Sequence, residues 1–258
     1  MDIAILSIII TIVIAVITTG ISIWYKEREI IKLKREKKRV SWEEVTIGSR
    51  ELLQKIQNGK VDVVPHSGIK EKDEALNKIL RTKFDPTVIF VPCRRGATIT
   101  NLMLDIQETK PVYVGIRLDK RKGNSASKEA EKLRNQKLLV ANNVTTGCNI
   151  NQEANQQKSC WIEVDTGKYF QFIPSQLIEL LRENPQEKLL ILDDYASSGD
   201  SQKEITQKIQ ETAEIKDYTR IRTAVLVIDH ASIDKAIAHF WWLEKEGKDF
   251  YFPWGKAV

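Results

Sequence analysis

The sequence predicts an α/β fold, with helices flanking a mostly parallel sheet, an added β-hairpin and one transmembrane helix before the domain. Four short apolar runs alternate with helical segments, at residues 87–91, 111–117, 188–192 and 222–229. Such runs are typical of strands that are buried on both faces of a parallel sheet. Residues 161–172 form two alternating runs on either side of Asp165-Thr166-Gly167, which predicts the hairpin.

The N-terminal segment predicts the transmembrane helix. Residues 3–24 are 22 consecutive residues without a charge, and as a helix they would be roughly 33 Å long, enough to cross a bilayer core. A cleaved signal peptide would have a basic start and small residues at a cleavage site, whereas this chain starts Met1-Asp2 and reaches Trp24-Tyr25. We therefore predict an uncleaved anchor over residues 1–25. The alternative is a buried core helix.

The segment after the anchor is basic. From residue 26 to residue 39 the chain has eight Lys or Arg and three Glu, a local charge of 8 − 3 = +5, which equals the formal net charge of the whole chain. The positive-inside rule keeps such a segment in the cytoplasm. We predict a single-pass membrane protein with a tether over residues 26–40 and a cytoplasmic domain over residues 41–258. The tether is expected to contact anionic lipid headgroups rather than nucleic acid, and the alternative is a solvated helix.

The domain is predicted to begin with a helix and to continue with further helices between the strands. Ser41 and Glu44 have the spacing of a capping box in front of a helix over residues 45–56. Further helices are predicted at residues 71–81, 98–108, 176–183 and 201–214. Residues 119–131 predict a mobile loop, and the Asn- and Gln-rich residues 142–159 predict no element and suggest no role.

Composition limits the kinds of protein and site. A chain of 258 residues that is 42% hydrophobic can form one sizeable core, and 29% charged residues of mixed sign exclude a disordered acidic polymer. The cysteines and histidines are scattered along the sequence: Cys93, Cys148, Cys160, His66, His230 and His239. Without a CxxC pair or a His cluster, we expect reduced thiols and no metal site made from Cys or His.

The segment with the clearest chemistry is residues 189–201. Four apolar residues are followed by Asp193 and Asp194, then by a small hydroxyl-rich turn, then by a helix. In open α/β sheets ligands bind at the carboxyl ends of the strands, where these acids would lie. The turn and the helix start offer N–H groups, hydroxyls and a positive dipole end, which suit a phosphate. The alternative is a strand, turn and helix with acidic surface residues.

This segment resembles the phosphoribosyl pyrophosphate (PRPP) motif of the type I phosphoribosyltransferases. By that resemblance, Asp193 and Asp194 are catalytic, binding the ribose 2′- and 3′-hydroxyls and Mg²⁺. The residues implied around the 5′-phosphate are Ala196, Ser197, Ser198, Gly199, Asp200 and Ser201. Asp200 is acceptable there only if its negative side chain points outward.

Residues 85–97 resemble the same family's strand and pyrophosphate loop, Cys93, Arg94, Arg95, Gly96 and Ala97. Gly96 allows close backbone approach, and Arg95 supplies fork-shaped donors that would stabilise the leaving pyrophosphate. Ala97 stands where the family has a second Gly. The strand over residues 112–117 and the loop after it fall where the family has its flexible catalytic lid.

Both ends of the domain resemble the xanthine/guanine/hypoxanthine branch of the family, at residues 40–45 and at Phe252-Pro253-Trp254. The branch places an aromatic residue on the base, and Phe250 or Tyr251 is the candidate here, with core packing as the alternative. Asp229 stands near the place of the Lys that donates to the purine 6-oxo group. Because a carboxylate accepts hydrogen bonds, either the substrate is an amino-bearing base or the base site has been lost.

The resemblance implies a membrane-anchored transferase that moves the phosphoribosyl group of PRPP to a nitrogenous, purine-like base and releases pyrophosphate, with Mg²⁺ as cofactor. Its partners would be PRPP, a nucleobase-like molecule and further copies of the chain in a homo-oligomer. Two alternatives stay open. One is a catalytically silent PRPP or nucleotide sensor, or a defence-associated effector, and the other is a membrane adaptor that binds no PRPP.

Overall fold

The computed structural model describes residues 17–22, 24–26, 28–30, 32, 39–62, 82–103, 110–135, 160–233, 235, 237–246 and 249–256. The predicted helix at 71–81 and residues 142–159 lie outside the described residues, as does most of the predicted anchor. The described residues between 17 and 32 are helical. Among the residues that the structure describes, none of the helices combines the length and hydropathy that crossing a bilayer requires.

The predicted parallel sheet is present. The strands are β1 (Val88–Val91), β2 (Val112–Val114), β3 (Ile116–Asp119), β4 (Trp161–Asp165), β5 (Tyr169–Pro174), β6 (Leu189–Ala196), β7 (Ile221–Asp229), β8 (Phe240–Lys245), β9 (Tyr251–Phe252) and β10 (Gly255–Lys256). Five of them form a sheet in the order β2-β1-β6-β7-β8, in which all neighbours are parallel. Strand β8 was not predicted, although its Phe-Trp-Trp-Leu run is a strand signal.

Helices cover both faces of this sheet. They are α1 (Trp42–Asn58), α2 (Arg94–Leu102), α3 (Asn124–Asn135), α4 (Ser175–Glu183), α5 (Asp200–Thr212) and α6 (His230–Ile233). Alternate residues of one strand face opposite ways, so Ile89 and Val91 pack with the α1 and α2 side chains, and Val88 and Phe90 pack with α4 and α5. The capping box at Ser41 is confirmed, with both of its hydrogen bonds present.

A second sheet is built beside the carboxyl edge of the first. Strands β4 and β5 form the predicted hairpin, and β3 pairs with β5 to complete an antiparallel sheet in the order β3-β5-β4. The predicted strand at residues 111–117 is split at Gly115, where the chain leaves one sheet for the other. A Cβ at Gly115 would lie 2.6 Å from Gln171 Nε2 and 2.9 Å from the Phe172 carbonyl oxygen, so no other residue fits without a shift.

The prediction of a mobile loop at residues 119–131 is wrong. The segment forms a 3₁₀ turn (Lys120–Lys122) and then α3. The Asp119 carboxylate accepts from the Arg121 N–H and caps the turn, while Ala126 and Ala130, four residues apart, are buried on one face of the helix. The Gly and Ser residues of the segment suggested a loop, but the helical spacing of its small apolar residues is the stronger signal and favours a helix.

Candidate functional site

The candidate site lies where the order of the parallel sheet reverses. After β1 the chain continues to β2 on one side, whereas β6, β7 and β8 follow on the other side of β1. Loops that leave neighbouring strands in opposite directions open a crevice at their carboxyl ends, where open α/β sheets bind ligands. The loop after β1 is the predicted pyrophosphate loop, and β6 ends in the predicted PRPP motif. The topology therefore brings both motifs to one crevice.

The acidic pair connects these two loops. Asp193 and Asp194 are 2% and 4% exposed. The Cys93 thiol, in the loop after β1, donates to Asp193 Oδ1 over 3.7 Å, and the backbone N–H of Asp194 donates to the same oxygen over 3.0 Å. The predicted strand at residues 188–192 continues through both acids to Ala196, so the carboxylate of a residue inside β6 is held directly against the loop that follows β1.

Arg117 is a site residue that the sequence did not reveal. Its guanidinium, which β3 carries from the antiparallel sheet, forms a 2.8 Å salt bridge with Asp193 Oδ2. The side chain is held by Gln171 Oε1, 3.4 Å from Arg117 Nε, and the Gln171 amide donates to the Pro92 carbonyl over 2.8 Å. Nothing in the sequence pairs positions 117 and 193, so only the fold brings them together.

Trp254, from the Phe-Pro-Trp tail, is the second unpredicted partner of the acidic pair. Its indole N–H donates to Asp194 Oδ2 over 3.2 Å. The ring stacks on Phe252 at 4.7 Å and lies 5.5 Å from Trp42 at the start of α1. The tail is therefore part of the site, and both acids of the pair accept hydrogen bonds from side chains elsewhere in the fold.

Burial and the neighbouring charges shift the protonation of these groups. Burial and the Asp193 carboxylate raise the pKa of Asp194 from its ordinary 3.8 to about 7, against the opposing effect of Arg117 and Arg95. Burial, and then Asp193, raise the pKa of the Cys93 thiol to about 12. Burial lowers the pKa of Arg117, but the adjacent Asp193 more than reverses this and leaves it above its ordinary value.

The raised pKa of Asp194 predicts a pH dependence of stability. Between about pH 4 and about pH 7 the folded chain keeps a proton on Asp194 that the unfolded chain has lost, so the folded state binds more protons. The contribution of Asp194 to stability is therefore fully present below about pH 4 and is lost as the pH rises through about 7. As the pH rises over this interval, we expect the unfolding free energy of the wild-type chain to fall relative to that of Asp194→Asn. Urea titrations at several pH values measure it, and a pH-independent difference would contradict the assignment.

The predicted 5′-phosphate loop closes the other side of the crevice. Gly199 has φ 71 and is the N-cap of α5, a left-handed conformation that glycine adopts without strain. The Ser232 hydroxyl donates to the Ser197 carbonyl and so ties the loop to α6. Asp200 lies at the surface, 2.8 Å from Lys235 Nζ. Its carboxylate also accepts a hydrogen bond from the Ser198 side chain, so the charge stays beside the loop and does not have the outward orientation that the resemblance requires.

A cavity of about 70 Å³ lies between this loop and the β4–β5 hairpin. Its lining includes the loop, the end of β6 and two hairpin residues: Arg117, Lys168, Tyr169, Asp193, Tyr195, Ala196, Ser197, Ser198, Gly199, Ser201 and Gln202. A larger cavity of about 830 Å³, along α5 and the start of β7, contains none of the predicted site residues. The small cavity has the hydroxyls, basic groups and helix N-terminus that suit an anion.

The predicted pyrophosphate loop forms the start of α2. Cys93 is the N-cap of this helix and Arg94 its first residue, while Arg95 is half-buried and acts electrostatically on Asp194. Gly96 packs directly on β6, because a Cβ there would lie 2.6 Å from the Leu192 carbonyl oxygen. Ala97, in the place of the family's second Gly, is partly buried and packs against the core.

Two of the three predicted base-pocket residues lie together. Tyr195 donates to Asp229 Oδ2 over 3.3 Å and stacks on Phe250, with ring centroids 6.1 Å apart. Asp229 is 7% exposed and Phe250 is fully buried. Tyr251 lies apart from them, under the Arg39 guanidinium at 5.0 Å. The buried Lys245 is paired in register with Asp229 on the neighbouring strand, so a lysine does lie near this pocket, on a strand that was not predicted.

No family model matches the chain, and no curated protein matches its sequence significantly. The chain is similar to a purine phosphoribosyltransferase from Pyrococcus horikoshii Ot3, with 13% identity and a TM-score of 0.45, over 86% of this chain and 96% of that one. A hypothetical protein from Neisseria gonorrhoeae with bound ppGpp has 11% identity and a TM-score of 0.42, over 85% and 89%. An adenine phosphoribosyl transferase from Trypanosoma brucei, in complex with AMP, pyrophosphate and ribose-5-phosphate, has 10% identity and a TM-score of 0.35, over 76% and 79%. At this level of similarity, the function has to be argued from the chain's own residues.

Proposed function

We propose that the chain is a type I phosphoribosyltransferase-like protein that binds PRPP with Mg²⁺ and transfers the phosphoribosyl group to a nitrogen nucleophile. The observation that carries this proposal is the junction of the two motifs, where the Cys93 thiol of one lies 3.7 Å from the Asp193 carboxylate of the other. They meet at the reversal point of the parallel sheet, a general ligand site of such folds. Neither motif alone would support the proposal as strongly.

Each group in the crevice has a role in this proposal. The hydroxyls and N–H groups of residues 197–201 hold the 5′-phosphate, and Asp193 and Asp194 accept from the ribose hydroxyls. Arg95 stabilises the negative charge that the leaving pyrophosphate gains as the bond at ribose C1 breaks. The nitrogen nucleophile forms the new bond at C1, through an oxocarbenium-like transition state. Positioning and charge stabilisation, rather than a covalent intermediate on the protein, supply the rate enhancement.

The acidic pair also fits a hard divalent cation. Carboxylate oxygens are the ligands that Mg²⁺ prefers, and Asp193 and Asp194 place such oxygens side by side at the edge of the crevice, each steadied by a donor, Arg117 or Trp254. When bound, Mg²⁺ would neutralise charge on the pyrophosphate. The two carboxylates would hold it, and the remaining positions would be left for the substrate and water.

A silent PRPP sensor is the second candidate, and the state of the base pocket favours it. Asp229 accepts from the Tyr195 hydroxyl and from the Ala231 N–H, so both of its oxygens already have donors within the chain. Tyr195 also covers one face of Phe250. A base could use these two residues only after Tyr195 moves. In this candidate function, PRPP binds but no base is accepted.

We also propose that residues 3–24 anchor the protein in a membrane, with the domain in the cytoplasm and the tether against anionic headgroups. The described end of the tether pairs with the C-terminal segment, because the Val40 N–H donates to the Tyr251 carbonyl over 3.1 Å. The tether therefore ends close to the tail that carries Trp254. Partition of the chain into the membrane fraction, and its loss on deletion of residues 1–25, would test this proposal.

Pyrophosphate release distinguishes the transferase from the sensor. The chain is incubated with PRPP, Mg²⁺ and a panel of amino- and oxo-purines, and free pyrophosphate is measured. The transferase predicts release with at least one base, at a rate reduced at least ~100-fold in Asp194→Asn and unchanged in Asp85→Asn, a surface carboxylate paired with Lys110. Release with no base, together with saturable PRPP binding, would support the sensor. Equal rates in Asp194→Asn and the wild-type chain would exclude the proposed role of the pair.

A further inference from the structure

The large cavity beside α5 is separate from the crevice that the proposed function uses. Its volume of about 830 Å³ lies within the range of cavities that bind small molecules. One wall is a single face of α5, formed by Lys203, Thr206, Gln207, Gln210 and Glu211. The opposite wall is formed by the start of β7 and by the segment before β8. Because the lining follows α5 for roughly 12 Å, the cavity is an elongated groove.

Thr206 carries an unsatisfied hydroxyl in the wall of this groove. Its Oγ1 is buried and has no hydrogen-bond partner among the residues that the structure describes. A threonine inside a helix can donate to the carbonyl four residues earlier, as the Thr100 and Thr212 hydroxyls do, but Thr206 does not. Since a buried hydroxyl without a partner costs free energy, a ligand in the groove would gain affinity by supplying one.

His239 adds a donor to the opposite wall. The Thr223 backbone N–H donates to its Nδ1 over 3.1 Å, so the proton of the neutral ring is on Nε2. Burial, and then the charge of Arg222, lower the pKa of His239 to about 3, which keeps the ring neutral at physiological pH. The ring lines the groove, and within the described part of the chain its printed hydrogen bonds are all made by Nδ1. The Nε2–H group is therefore available to a ligand.

One end of the groove is basic and touches the 5′-phosphate loop. Lys203 and Lys235 line this end, and Lys235 Nζ lies 2.8 Å from Asp200 Oδ1. Ile237, also in the lining, packs directly on the loop, because a Cβ at Gly199 would lie 2.4 Å from Ile237 Cδ1. An anion bound here would attract Lys235 away from Asp200, whose negative charge would then remain beside the loop without its cation.

The other end of the groove suits a heteroaromatic ring. Ile215 gives it an apolar wall, and the Tyr218 ring, which is 66% exposed, offers a face for stacking. Glu211 and Glu214 also line this end, so their charges disfavour an anion here and their oxygens accept from ring or amino N–H groups. With the Nε2–H of His239, the groove offers such a ring both donors and acceptors.

We propose that this groove is an effector site for an elongated anionic heteroaromatic molecule of the nucleoside monophosphate class. The phosphate lies between Lys203 and Lys235, and the ring lies against Tyr218. The site itself goes beyond the proposed function, whereas its effect on PRPP rests on that function. Coupling between two binding sites is reciprocal, so the nucleotide and PRPP weaken each other's binding by one factor. That factor is ~3–10-fold, because the Asp200–Lys235 pair is exposed.

Calorimetric titration of AMP and of GMP into the purified chain tests the site without any assay of activity. Lys203→Glu reverses a charge at the basic end, and its matched control is Lys208→Glu, the same change on α5 outside the lining. We expect at least one nucleotide to bind saturably to the wild type and to the control. Its affinity should be at least ~10-fold lower in Lys203→Glu, and at least ~5-fold lower in Tyr218→Ala, which lacks the stacking ring.

Repeating the nucleotide titration at increasing PRPP with Mg²⁺ separates the groove from the crevice. For coupled sites, the apparent nucleotide affinity falls ~3–10-fold and then stays constant, whereas a nucleotide that occupies the crevice loses affinity in proportion to PRPP. We expect the first behaviour in the wild type. In Lys235→Met, which lacks the ammonium group that links the groove to Asp200, PRPP should have little effect on nucleotide affinity.

The possible outcomes distinguish this inference from the proposed function. No nucleotide binding to the wild type, equal affinity in Lys203→Glu and Lys208→Glu, or affinity that falls in proportion to PRPP would overturn the groove as a nucleotide site. Affinity that PRPP leaves unchanged would overturn its effector role. A chain that binds PRPP but neither nucleotide overturns this inference alone, and one that binds a nucleotide in the groove but no PRPP overturns the proposed function.

Discussion

The Asp193→Asn variant is expected to lose about 3–5 kcal/mol of unfolding free energy, the usual effect of removing one partner from a buried ion pair. Asp193 is 2% exposed and the Arg117 side chain 17% exposed, so in the variant the guanidinium keeps its charge in a site that water barely reaches. The neutral amide also offers only one oxygen to Arg117, to the Cys93 thiol and to the Asp194 N–H. Denaturant titration followed by circular dichroism measures the change.

The matched control is Asp85→Asn, the same chemical change in an exposed pair with Lys110. Exposed ion pairs contribute about 0–1 kcal/mol, so this variant should unfold close to the wild type. The double variant Asp193→Asn, Arg117→Gln removes both charges and should recover part of the lost stability. If Asp193→Asn were as stable as Asp85→Asn, the buried pair would not be present in solution.

The Gly96→Ala variant is the second change for which we expect a large effect. The added Cβ would lie 2.6 Å from the Leu192 carbonyl oxygen, and this neighbour is backbone in the middle of a central strand, so it cannot rotate away. We expect a loss of about 1–3 kcal/mol, the range for overpacking. Because the start of α2 must move away from β6 to relieve the contact, PRPP affinity should fall at least ~10-fold.

Its control is the neighbouring substitution Ala97→Gly, which recreates the Arg-Gly-Gly sequence of the family. This change removes a methyl group from α2 and should cost no more than about 1 kcal/mol, with PRPP affinity retained. Denaturant titration and PRPP titration of both variants give the comparison. If Gly96→Ala lost no more stability and no more PRPP affinity than Ala97→Gly, close packing of the loop on β6 would be excluded.

The parts of the fold that the sequence predicted are those set by local pattern. The capping box at Ser41, the apolar runs of the parallel strands and the turn at Asp165-Thr166-Gly167 depend on residues within a few positions of one another. The same is true of the acidic pair and the Gly199 turn, which lie in one continuous segment. Interactions of this range can be recognised without knowing the tertiary structure.

The missing parts of the site depend on contacts between distant residues. Arg117 is 76 positions from Asp193, and Trp254 is 60 positions from Asp194. An arginine within a short strand and a tryptophan near the end of the chain can have many structural roles, and only the tertiary structure shows which role each has here. The tail was noticed through its resemblance to a family branch, but its hydrogen bond to the acidic pair could not be inferred from that.

The base pocket shows a related limit. Asp229 was expected either to accept from an amino-bearing base or to mark a base site that has been lost, and it does lie at the carboxyl end of β7. Its acceptance from Tyr195 depends on the parallel register of β6 and β7, which places Tyr195 beside Val227. The adjacent lysine, Lys245, belongs to β8, a strand with no predicted counterpart. Which side chains meet at the pocket is therefore decided by the pairing of the strands, and no sequence motif shows it.

The central claim is that the crevice between β1 and β6 binds PRPP, and calorimetric titration of PRPP with Mg²⁺ into the purified chain tests it most directly. We predict saturable binding by the wild-type chain and by Asp85→Asn, binding weakened at least ~10-fold in Asp194→Asn, and little heat from ribose 5-phosphate, which lacks the pyrophosphate. Absence of PRPP binding to the folded wild-type chain, or equal binding by Asp194→Asn, would contradict it.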